Sequence, residues 1–375
     1  MSAATAANIF TGVPSVNMLT AAQMILDFGA EQTIGMIAPP GVGKTSMFTM
    51  MAEKLKDTHD PVFIVAPNVD VPDIAVGMPD VEGKTVRFLV NEVFKLASKR
   101  PKLIFIDELS KAQGHMLPTL ATLAQDRTIG GTALPEGSIV CFTGNHIGDG
   151  VGDRFPAHIL NRVTMLKVSV PTFAQWEDWA TNNRIHPLLI SWAGENSEVF
   201  TSYLDMPEDR DRSSKQREVA PMIFNPSAPA LLPFLSLRSM AKCSAFVGAR
   251  ESGKYSHDDT LALLAGTVGI AAARSMSAFF AMFDKLVSFP RIVADPMGVP
   301  VTTTGAVPII QIRNAVHRIT SEHELKQFLI FLDRMERREL KQVFMDLAIK
   351  AKHLQPIVAS NRECLEYMTK AGAMI

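Results

Sequence analysis

The stretch that most constrains this chain is residues 38–45, Ala-Pro-Pro-Gly-Val-Gly-Lys-Thr. A short apolar run, Thr33 to Ile37, precedes it, and a helical pattern from Lys44 to Lys56 follows it. Strand, glycine-containing loop and helix in this order are the layout of a phosphate-binding loop. The backbone N–H groups of such a loop, together with the N-terminus of the helix, attract a polyphosphate. The sequence therefore predicts a nucleotide site at this point.

The chemistry of the loop predicts which of its residues contact ATP. The Lys44 side chain would reach the β- and γ-phosphates, and the Thr45 hydroxyl would be a ligand of Mg²⁺. The pattern G-x-x-x-x-G-K-S/T usually begins with glycine, and here that position is Ala38, which adds one methyl group. We expect the nucleotide to be bound by Pro40, Gly41, Val42, Gly43, Lys44, Thr45 and Ser46.

The second informative feature is a pair of acidic residues, Asp107 and Glu108, at the end of the apolar run that starts at Leu103. A carboxylate at the end of a buried strand can hold Mg²⁺ beside a phosphate loop, which we expect of Asp107. Glu108 would then orient and deprotonate the attacking water, and hydrolysis needs such a base. The alternative is a solvated turn, but ionised groups at a strand end need partners. The pair predicts Mg²⁺-dependent ATP hydrolysis.

Three further polar residues follow the next apolar run. Asn145 can donate a hydrogen bond to the γ-phosphate or to the attacking water, although Gly144-Asn145-His146 is also good turn chemistry. Arg154 and Arg162 are candidates for an arginine finger, which stabilises the charge on a phosphoryl group in the transition state. Considered alone, either arginine is more often an ordinary surface charge.

Composition indicates a soluble globular protein of ordinary type. Of the 375 residues, 47% are hydrophobic and 20% charged, and the net charge of −1 indicates no general attraction to nucleic acid or to an anionic membrane. The three cysteines are far apart and predict reduced thiols in a cytoplasmic protein. No signal-peptide pattern is present at residues 1–7. The apolar stretch Leu261 to Leu286 contains Arg274, so a buried helix is favoured over a membrane span.

Strands that are apolar on both faces alternate with helical patterns, which predicts an α/β fold with a parallel five-stranded sheet covered on both sides. Two small hairpins are expected, one turning at Glu82-Gly83 and one within residues 128–138. From Pro171 onward the pattern is helical. We expect a nucleotide-binding core in residues 1–170, a helical lid in 171–290 and a helical extension in 291–375. A linker is expected at 290–308.

The order of these motifs resembles the AAA+ ATPases, and in particular the MoxR-like branch of bacteria and their phages. The residues that carry the resemblance are the stretches 38–45, 103–110, 143–145 and 160–163. Residues 72–79 are similar to the D-L-x-G-x-P segment of that branch. Residues 235–239 are similar to its S-P-R-S segment, with Leu237 in place of the proline.

The resemblance implies a P-loop NTPase αβα core of the AAA+ type, followed by an all-α lid. It assigns Asn145 as sensor 1, Arg162 as the finger that reaches a neighbouring subunit, with Arg154 as the alternative, and Arg238 as sensor 2 in the same subunit. It also implies a homo-hexameric ring that hydrolyses ATP to remodel or chaperone a protein client. A von Willebrand A-domain protein is the partner that the resemblance suggests.

Two other function classes stay open at this point. One is an AAA+ protein that acts on nucleic acid, as a helicase loader or a translocase. Its basic contact would include Arg334, Arg337, Arg338 and Lys341, although acidic residues alternate with them and favour a solvated helix. The other is a nucleotide-gated structural scaffold in which hydrolysis is slow or lost.

Overall fold

The structure, a computed structural model, describes residues 13–145, 155, 157–203, 205–225, 232–283 and 286–371. The described chain forms two compact units. The first takes in the described part of residues 1–170, and the second takes in almost all of the described part of residues 171–375. Arg154, one of the two predicted fingers, lies outside the described residues. The subdivision of the helical half at residue 290 stays a prediction.

The first unit is built on a parallel sheet of six strands in the order β1-β10-β2-β9-β6-β3. This confirms the predicted α/β class with its parallel sheet. The five predicted strands are present, and the two-residue strand β1, too short to give a sequence pattern, adds a sixth at the edge. The described strands of the unit are β1 (Ser15–Val16), β2 (Ile34–Ile37), β3 (Asp60–Val65), β4 (Ala75–Asp80), β5 (Thr85–Val90), β6 (Lys102–Asp107), β7 (Thr128–Ile129), β8 (Thr132–Ala133), β9 (Ile139–Gly144) and β10 (Thr164–Val168).

Helices cover both faces of this sheet, because successive residues of a strand point to opposite sides. In β6, Leu103 and Phe105 pack into a cluster with the first two helices, whereas Ile104 and Ile106 pack into a second cluster with the fourth helix. The helices of this unit are α1 (Met18–Phe28), α2 (Lys44–Lys54), α3 (Val71–Ile74), α4 (Leu117–Asp126) and α5 (Ala157–Leu160). The continuous apolar runs in the sequence therefore reflect burial on both faces.

Both predicted hairpins are confirmed. Strands β4 and β5 pair antiparallel from Ala75–Val90 to Asp80–Thr85, and β7 pairs with β8. The stretch 71–79, whose prolines and glycine favour a loop, nevertheless contributes most of β4. The turn of the second hairpin packs closely on the first, because a Cβ added at Gly130 would lie 2.9 Å from the Ala75 Cβ.

Residues 91–99, which by their sequence can form a helix ending before Pro101, do not form one. The structure has two short 3-10 turns there, separated by Lys95 and closed by Lys99, both in the left-handed region with φ of 50° and 56°. A left-handed residue interrupts a right-handed helix, so the segment cannot continue as one. It remains as a compact loop beside the start of β6.

The second unit is helical, as expected. Its α-helices are α6 (Phe173–Asn182), α7 (Pro187–Glu195), α8 (Ser214–Val219), α9 (Leu237–Glu251), α10 (His257–Val268), α11 (Ile270–Phe283), α12 (Phe289–Ala294), α13 (Val307–Arg318), α14 (Glu322–Asp333), α15 (Arg338–Lys350), α16 (Gln355–Ser360) and α17 (Arg362–Ala371). The linker predicted at 290–308 is wrong in its first part, because α12 lies there and packs into the apolar cluster of the following helices.

The apolar stretch at 261–286 is divided between α10 and α11. Gly269 separates the two helices with φ of 82°, a conformation that glycine adopts without strain. The helices on either side of it pack within the unit. Among the described residues, every helix is too short or too polar to cross a membrane.

Candidate active site

The predicted catalytic residues of the first unit converge because the strands that carry them are neighbours in a parallel sheet. Strand β9 lies between β2 and β6, with Ile37 paired to Gly144 and Ile106 paired to Phe142. The residues that follow these strand ends therefore meet at one edge of the sheet. This carboxyl edge gathers the phosphate loop, the pair Asp107-Glu108, and Asn145.

The loop between β2 and α2 has the backbone that phosphate binding requires. Gly41 and Gly43 have φ of 75° and 105°, which side chains larger than hydrogen disfavour. No described side chain caps the first turn of α2, an 11-residue helix, so its N-terminal N–H groups donate to no capping side chain. Nucleotide phosphate oxygens fit such a set of donors.

The departure from the usual motif at Ala38 has a simple explanation. Ala38 is fully buried in the apolar cluster formed by α1, α2 and one face of the sheet. Its backbone N–H donates to the Gly144 oxygen at 3.3 Å, which joins the start of the loop to β9. The added methyl group therefore points into the core of the unit and takes no space from the loop.

Lys44 and Asn145, which are 101 residues apart in sequence, are in direct contact. The Lys44 Nζ donates to the Asn145 Oδ1 at 2.6 Å. The two residues are 5% and 4% exposed. A buried ammonium group held by a neutral amide can still exchange this interaction for phosphate oxygens. The contact joins the phosphate loop to the strand that carries the predicted sensor.

Asp107 and Glu108 are tied to the same strand through one hydroxyl group. The Thr143 Oγ1 donates to the Asp107 Oδ1 at 2.5 Å and accepts from the Glu108 N–H at 3.0 Å. Glu108 has a left-handed backbone with φ of 56°, which is uncommon for a residue other than glycine and often marks a functional turn. Its carboxylate forms an ion pair with the Lys111 Nζ at 2.9 Å.

The remaining loop residues differ in accessibility. Val42 is buried, Pro40, Gly41 and Gly43 are half-buried, and Thr45 and Ser46 at the start of α2 are exposed. An accessible hydroxyl at Thr45 and a half-buried carboxylate at Asp107 are oxygen donors of the type that Mg²⁺ prefers. The residues present therefore fit a magnesium-bound nucleotide.

Arg162 lies at the opposite edge of the same sheet. It precedes Thr164, which pairs with Ile34 at the start of β2, whereas the phosphate loop follows Ile37 at the end of that strand. The strand between them spans about 10 Å at the usual rise per residue. The exposed Arg162 side chain donates to the Gln125 Oε1 at 2.9 Å. The structure therefore does not bring this arginine to the phosphate loop of its own subunit.

Arg238 belongs to the second unit, where it is the second residue of α9. The helix begins there because the Ser236 hydroxyl accepts from the Ser239 N–H at 3.1 Å and forms a capping box. Leu237, which departs from the family pattern, occupies the first helical position without preventing the cap. The Arg238 side chain is exposed, and it makes no hydrogen bond or ion pair with another described residue.

Sequence reasoning missed three residues that contact the predicted ones: Thr143, Lys111 and Gln125. Thr143 had a readable signal, because a hydroxyl in an apolar strand, two residues before Asn145, lies on the same side of the strand. The sequence also indicated Lys111, because a lysine three residues after Glu108 can form an ion pair with it. Gln125 had none, because its contact with Arg162 depends on how α4 packs.

Comparison with known proteins gives one match to a protein family. Residues 35–136 match the model described as AAA domain (dynein-related subfamily). The matched region contains the phosphate loop, Asp107 and Glu108, both predicted elements of an ATP-hydrolysing site. A comparison with curated proteins found no match.

Solved structures with a similar arrangement are distant. One is the RuvB Holliday junction branch migration motor of Thermotoga maritima, 12% identical, with 78% of this chain and 80% of that chain covered and a TM-score of 0.34. Another is NtrX from Brucella abortus, 11% identical, with 89% and 68% covered and a TM-score of 0.36. At such scores the likeness carries no argument about substrate or partner. The family match over residues 35–136, the parallel sheet and the phosphate loop together show a P-loop fold of the AAA type in the first unit and support ATP hydrolysis there.

Proposed function

We propose that this ATPase acts as a homo-hexameric ring of the MoxR-like type, in which hydrolysis remodels or chaperones a protein client. The observation that carries the proposal is the separation of the predicted residues between two edges of one sheet. Lys44, Asp107, Glu108 and Asn145 lie at the carboxyl edge, and Arg162 lies at the amino edge. An arginine that cannot reach its own phosphate loop, yet is exposed, is suited to the site of a neighbouring subunit.

Each residue at the carboxyl edge has a proposed role in hydrolysis. Lys44 stabilises charge on the β- and γ-phosphates, and Asn145 orients the attacking water or the γ-phosphate. Glu108 takes a proton from that water, which requires its carboxylate to leave Lys111 and turn toward the nucleotide. Thr45 and Asp107 would hold Mg²⁺, which when bound neutralises charge on the phosphate oxygens. Arg238 would contact the nucleotide from the lid.

The first hairpin supports contact with a protein partner. Its exposed apolar side chains occur on both faces of the β4–β5 ribbon: Val76, Met78, Val81, Val86, Phe88 and Leu89. Exposed apolar groups gathered on one small element commonly mark a protein interaction site. The suggestion that the partner contains a von Willebrand A domain rests on the family resemblance alone.

Three of the four basic residues considered for nucleic acid, Arg334, Arg337 and Lys341, are engaged inside the second unit. Arg334 donates to the Pro296 and Val299 oxygens at 2.6 and 2.9 Å, and Arg337 donates to the Thr303 oxygen at 3.0 Å. Side chains held by backbone oxygens are poorly placed to bind phosphates. The protein-client function is therefore the one proposed.

The first experiment tests whether Glu108 is the general base of hydrolysis. Replacing Glu108 by Gln removes the proton acceptor but keeps the size of the side chain, so the variant should bind ATP and assemble while turnover falls by about 10²–10⁴-fold. Phosphate release and nucleotide binding measure the two effects, and the stalled variant is then used to capture its client. Hydrolysis at the wild-type rate would show that Glu108 is not the base.

The second experiment tests the shared site. Arg162→Ala and Lys44→Ala subunits should each be inactive alone, because the first lacks a finger for its neighbour and the second lacks a working loop. Mixed rings place an intact loop next to an intact Arg162, so the mixture should recover activity. Arg362→Ala is the matched control, since that arginine is highly exposed and pairs only locally with Glu366 at 2.9 Å. A mixture no more active than its parts, with both variants assembled, would contradict a shared site.

A further inference from the structure

Thr143 contacts two of the predicted active-site residues and lies on the strand that leads to a third. It is fully buried in β9, two residues before Asn145, which contacts Lys44. Its hydroxyl group donates to the Asp107 Oδ1 at 2.5 Å and accepts from the Glu108 N–H at 3.0 Å. One side chain therefore touches both residues proposed for metal binding and proton transfer.

The direction of these hydrogen bonds gives the hydroxyl a specific effect. A threonine hydroxyl has a single proton, and here it is given to one carboxylate oxygen of Asp107. This fixes the rotation of the carboxylate and leaves its second oxygen for Mg²⁺ or a magnesium-bound water. Hydrogen-bond partners of metal ligands commonly orient the ligand in this way.

The second hydrogen bond supports the unusual backbone of Glu108. A residue other than glycine with φ of 56° is strained and is held there by its surroundings. The hydrogen bond from the Glu108 N–H to Thr143 fixes this turn directly behind Asp107. It therefore sets the position from which the Glu108 side chain can move between Lys111 and the nucleotide.

A buried threonine in this unit does not always have hydrogen-bond partners for its hydroxyl group. Thr33, which precedes β2 at the amino edge, is also buried, at 4% exposed. Its hydroxyl has no hydrogen-bond partner among the described residues. The chain thus provides a matched buried threonine at the other edge of the sheet, away from the predicted chemistry.

We propose that Thr143 is a positioning residue of the ATPase site, which orients the Asp107 carboxylate for Mg²⁺ and anchors the backbone of Glu108. The proposal rests on the function proposed above. It goes beyond that function because it assigns a role to a residue that neither binds the nucleotide nor transfers a proton. It predicts that the Thr143 hydroxyl governs the affinity of the site for Mg²⁺.

The test measures Mg²⁺ affinity without turnover. A fluorescent ATP analogue is titrated with Mg²⁺ in the Glu108→Gln background, carrying Thr143→Val, Thr143→Ser or Thr33→Val. Thr143→Val should raise the Mg²⁺ concentration at half-saturation by about 10–100-fold. Thr143→Ser, which keeps the hydroxyl, and Thr33→Val, which removes an unpartnered one, should stay close to the background protein. Binding of the analogue in EDTA should be alike in all of them.

A double-mutant cycle separates this role from a merely structural one. When Asp107 is first changed to Asn, Thr143→Val should have little further effect on the Mg²⁺ response, because its target is already lost. A folded Thr143→Val protein with the Mg²⁺ response of the background would overturn the proposal. If that variant does not fold, Thr143→Cys, which keeps the volume but donates weakly, carries the same expectation and can overturn it in the same way.

The Mg²⁺ titration tests the role of Thr143 whether or not Glu108 is the general base. If Glu108→Gln still hydrolysed ATP, the proposed base would fail, whereas the Mg²⁺ titration would still report on Thr143 and Asp107. If Mg²⁺ affinity were unchanged but Glu108→Gln stopped turnover, the proposed function would stand and the role of Thr143 would fall.

Discussion

One buried lysine lies at the amino edge of the central sheet and another at its carboxyl edge. The two have different hydrogen-bond partners. At the amino edge, Lys102 opens β6 opposite Asp60, the first residue of β3. Its ammonium group donates to the Asp60 carboxylate at 2.7 Å, to the Ser98 hydroxyl at 2.6 Å and to the Lys95 oxygen at 2.7 Å. At the carboxyl edge, Lys44 donates to the neutral amide of Asn145.

The difference separates a structural lysine from one suited to a ligand. Lys102 is fully buried, and its three hydrogen atoms have three acceptors, one of them an anion. The group is already neutralised, and it ties the loop of residues 92–98 to the sheet. Lys44 donates to the Asn145 amide oxygen and lies beside a loop whose backbone is shaped for anions. A buried cation near such a loop is a suitable partner for phosphate oxygens.

The largest expected effect concerns the lysine at the carboxyl edge. Lys44→Met should lower ATP turnover by about 10²–10³-fold, because charge stabilisation of the transferring phosphoryl group is lost. The free energy of unfolding should fall by about 1–2 kcal/mol, because the Asn145 amide loses this donor. Phosphate release and chemical denaturation measure the two effects. A variant that lost stability but kept activity would make Lys44 a structural lysine like Lys102.

The next effect concerns the lysine at the amino edge. Lys102→Met should lower the free energy of unfolding by about 3 kcal/mol, since the largely buried Asp60 carboxylate loses its closest cationic partner. We place the value at the low end because the Asp60 side chain is 13% exposed and Arg100 lies 3.3 Å away. Under conditions where the variant is folded, ATP turnover should be close to wild type. A strong loss of turnover in the folded variant would break the comparison.

The smallest effect is a pH dependence at the amino edge. The hydrogen bond from Lys102, with that from Ser98, lowers the pKa of the Asp60 carboxyl below its usual range. Because the folded pKa is depressed, the carboxylate contributes stability that is present above the unfolded pKa and is lost as pH falls through the folded pKa. Asp60→Asn should therefore destabilise the protein by about 1–2 kcal/mol near pH 7, and the difference should shrink in acid.

The measurement for this prediction is denaturant unfolding of wild type and Asp60→Asn from pH 7 down to the lowest pH at which both proteins fold. A difference that stays constant with pH would show that the carboxylate charge is not what stabilises the edge. Asp57→Asn is the control, because Asp57 is an exposed carboxylate three residues before Asp60 and forms no ion pair among the described residues.

Much of the first unit was predictable because its motifs fix strand, loop and helix in order. The apolar run before Ala38 and the run before Asp107 are strands in the structure, and Asn145 follows the strand between them. Predictions failed where the pattern was short or local. Strand β1 has two residues, residues 91–99 are interrupted by left-handed lysines, and α12 begins within a proline-containing stretch.

The sequence could not predict how residues far apart would pair. Lys102 follows a proline and precedes an apolar run, and nothing local indicates that it is buried against Asp60, 42 residues earlier. Likewise, Thr143 has an ordinary position in an apolar strand until the register of β6 and β9 sets it beside Asp107. Such contacts depend on strand order and register, which a single sequence specifies only through the whole fold.

By itself the sequence determined the phosphate loop, the acidic pair and the α/β class, because glycine, lysine and carboxylate at fixed spacing have few other uses. Tertiary structure alone decided which edge of the sheet each residue occupies. The reason is physical: parallel strands bring their carboxyl ends together, so Lys44, Asp107 and Asn145 meet while Arg162 lies away from them. The same arrangement places one buried lysine against the Asp60 carboxylate and the other beside the predicted phosphate loop.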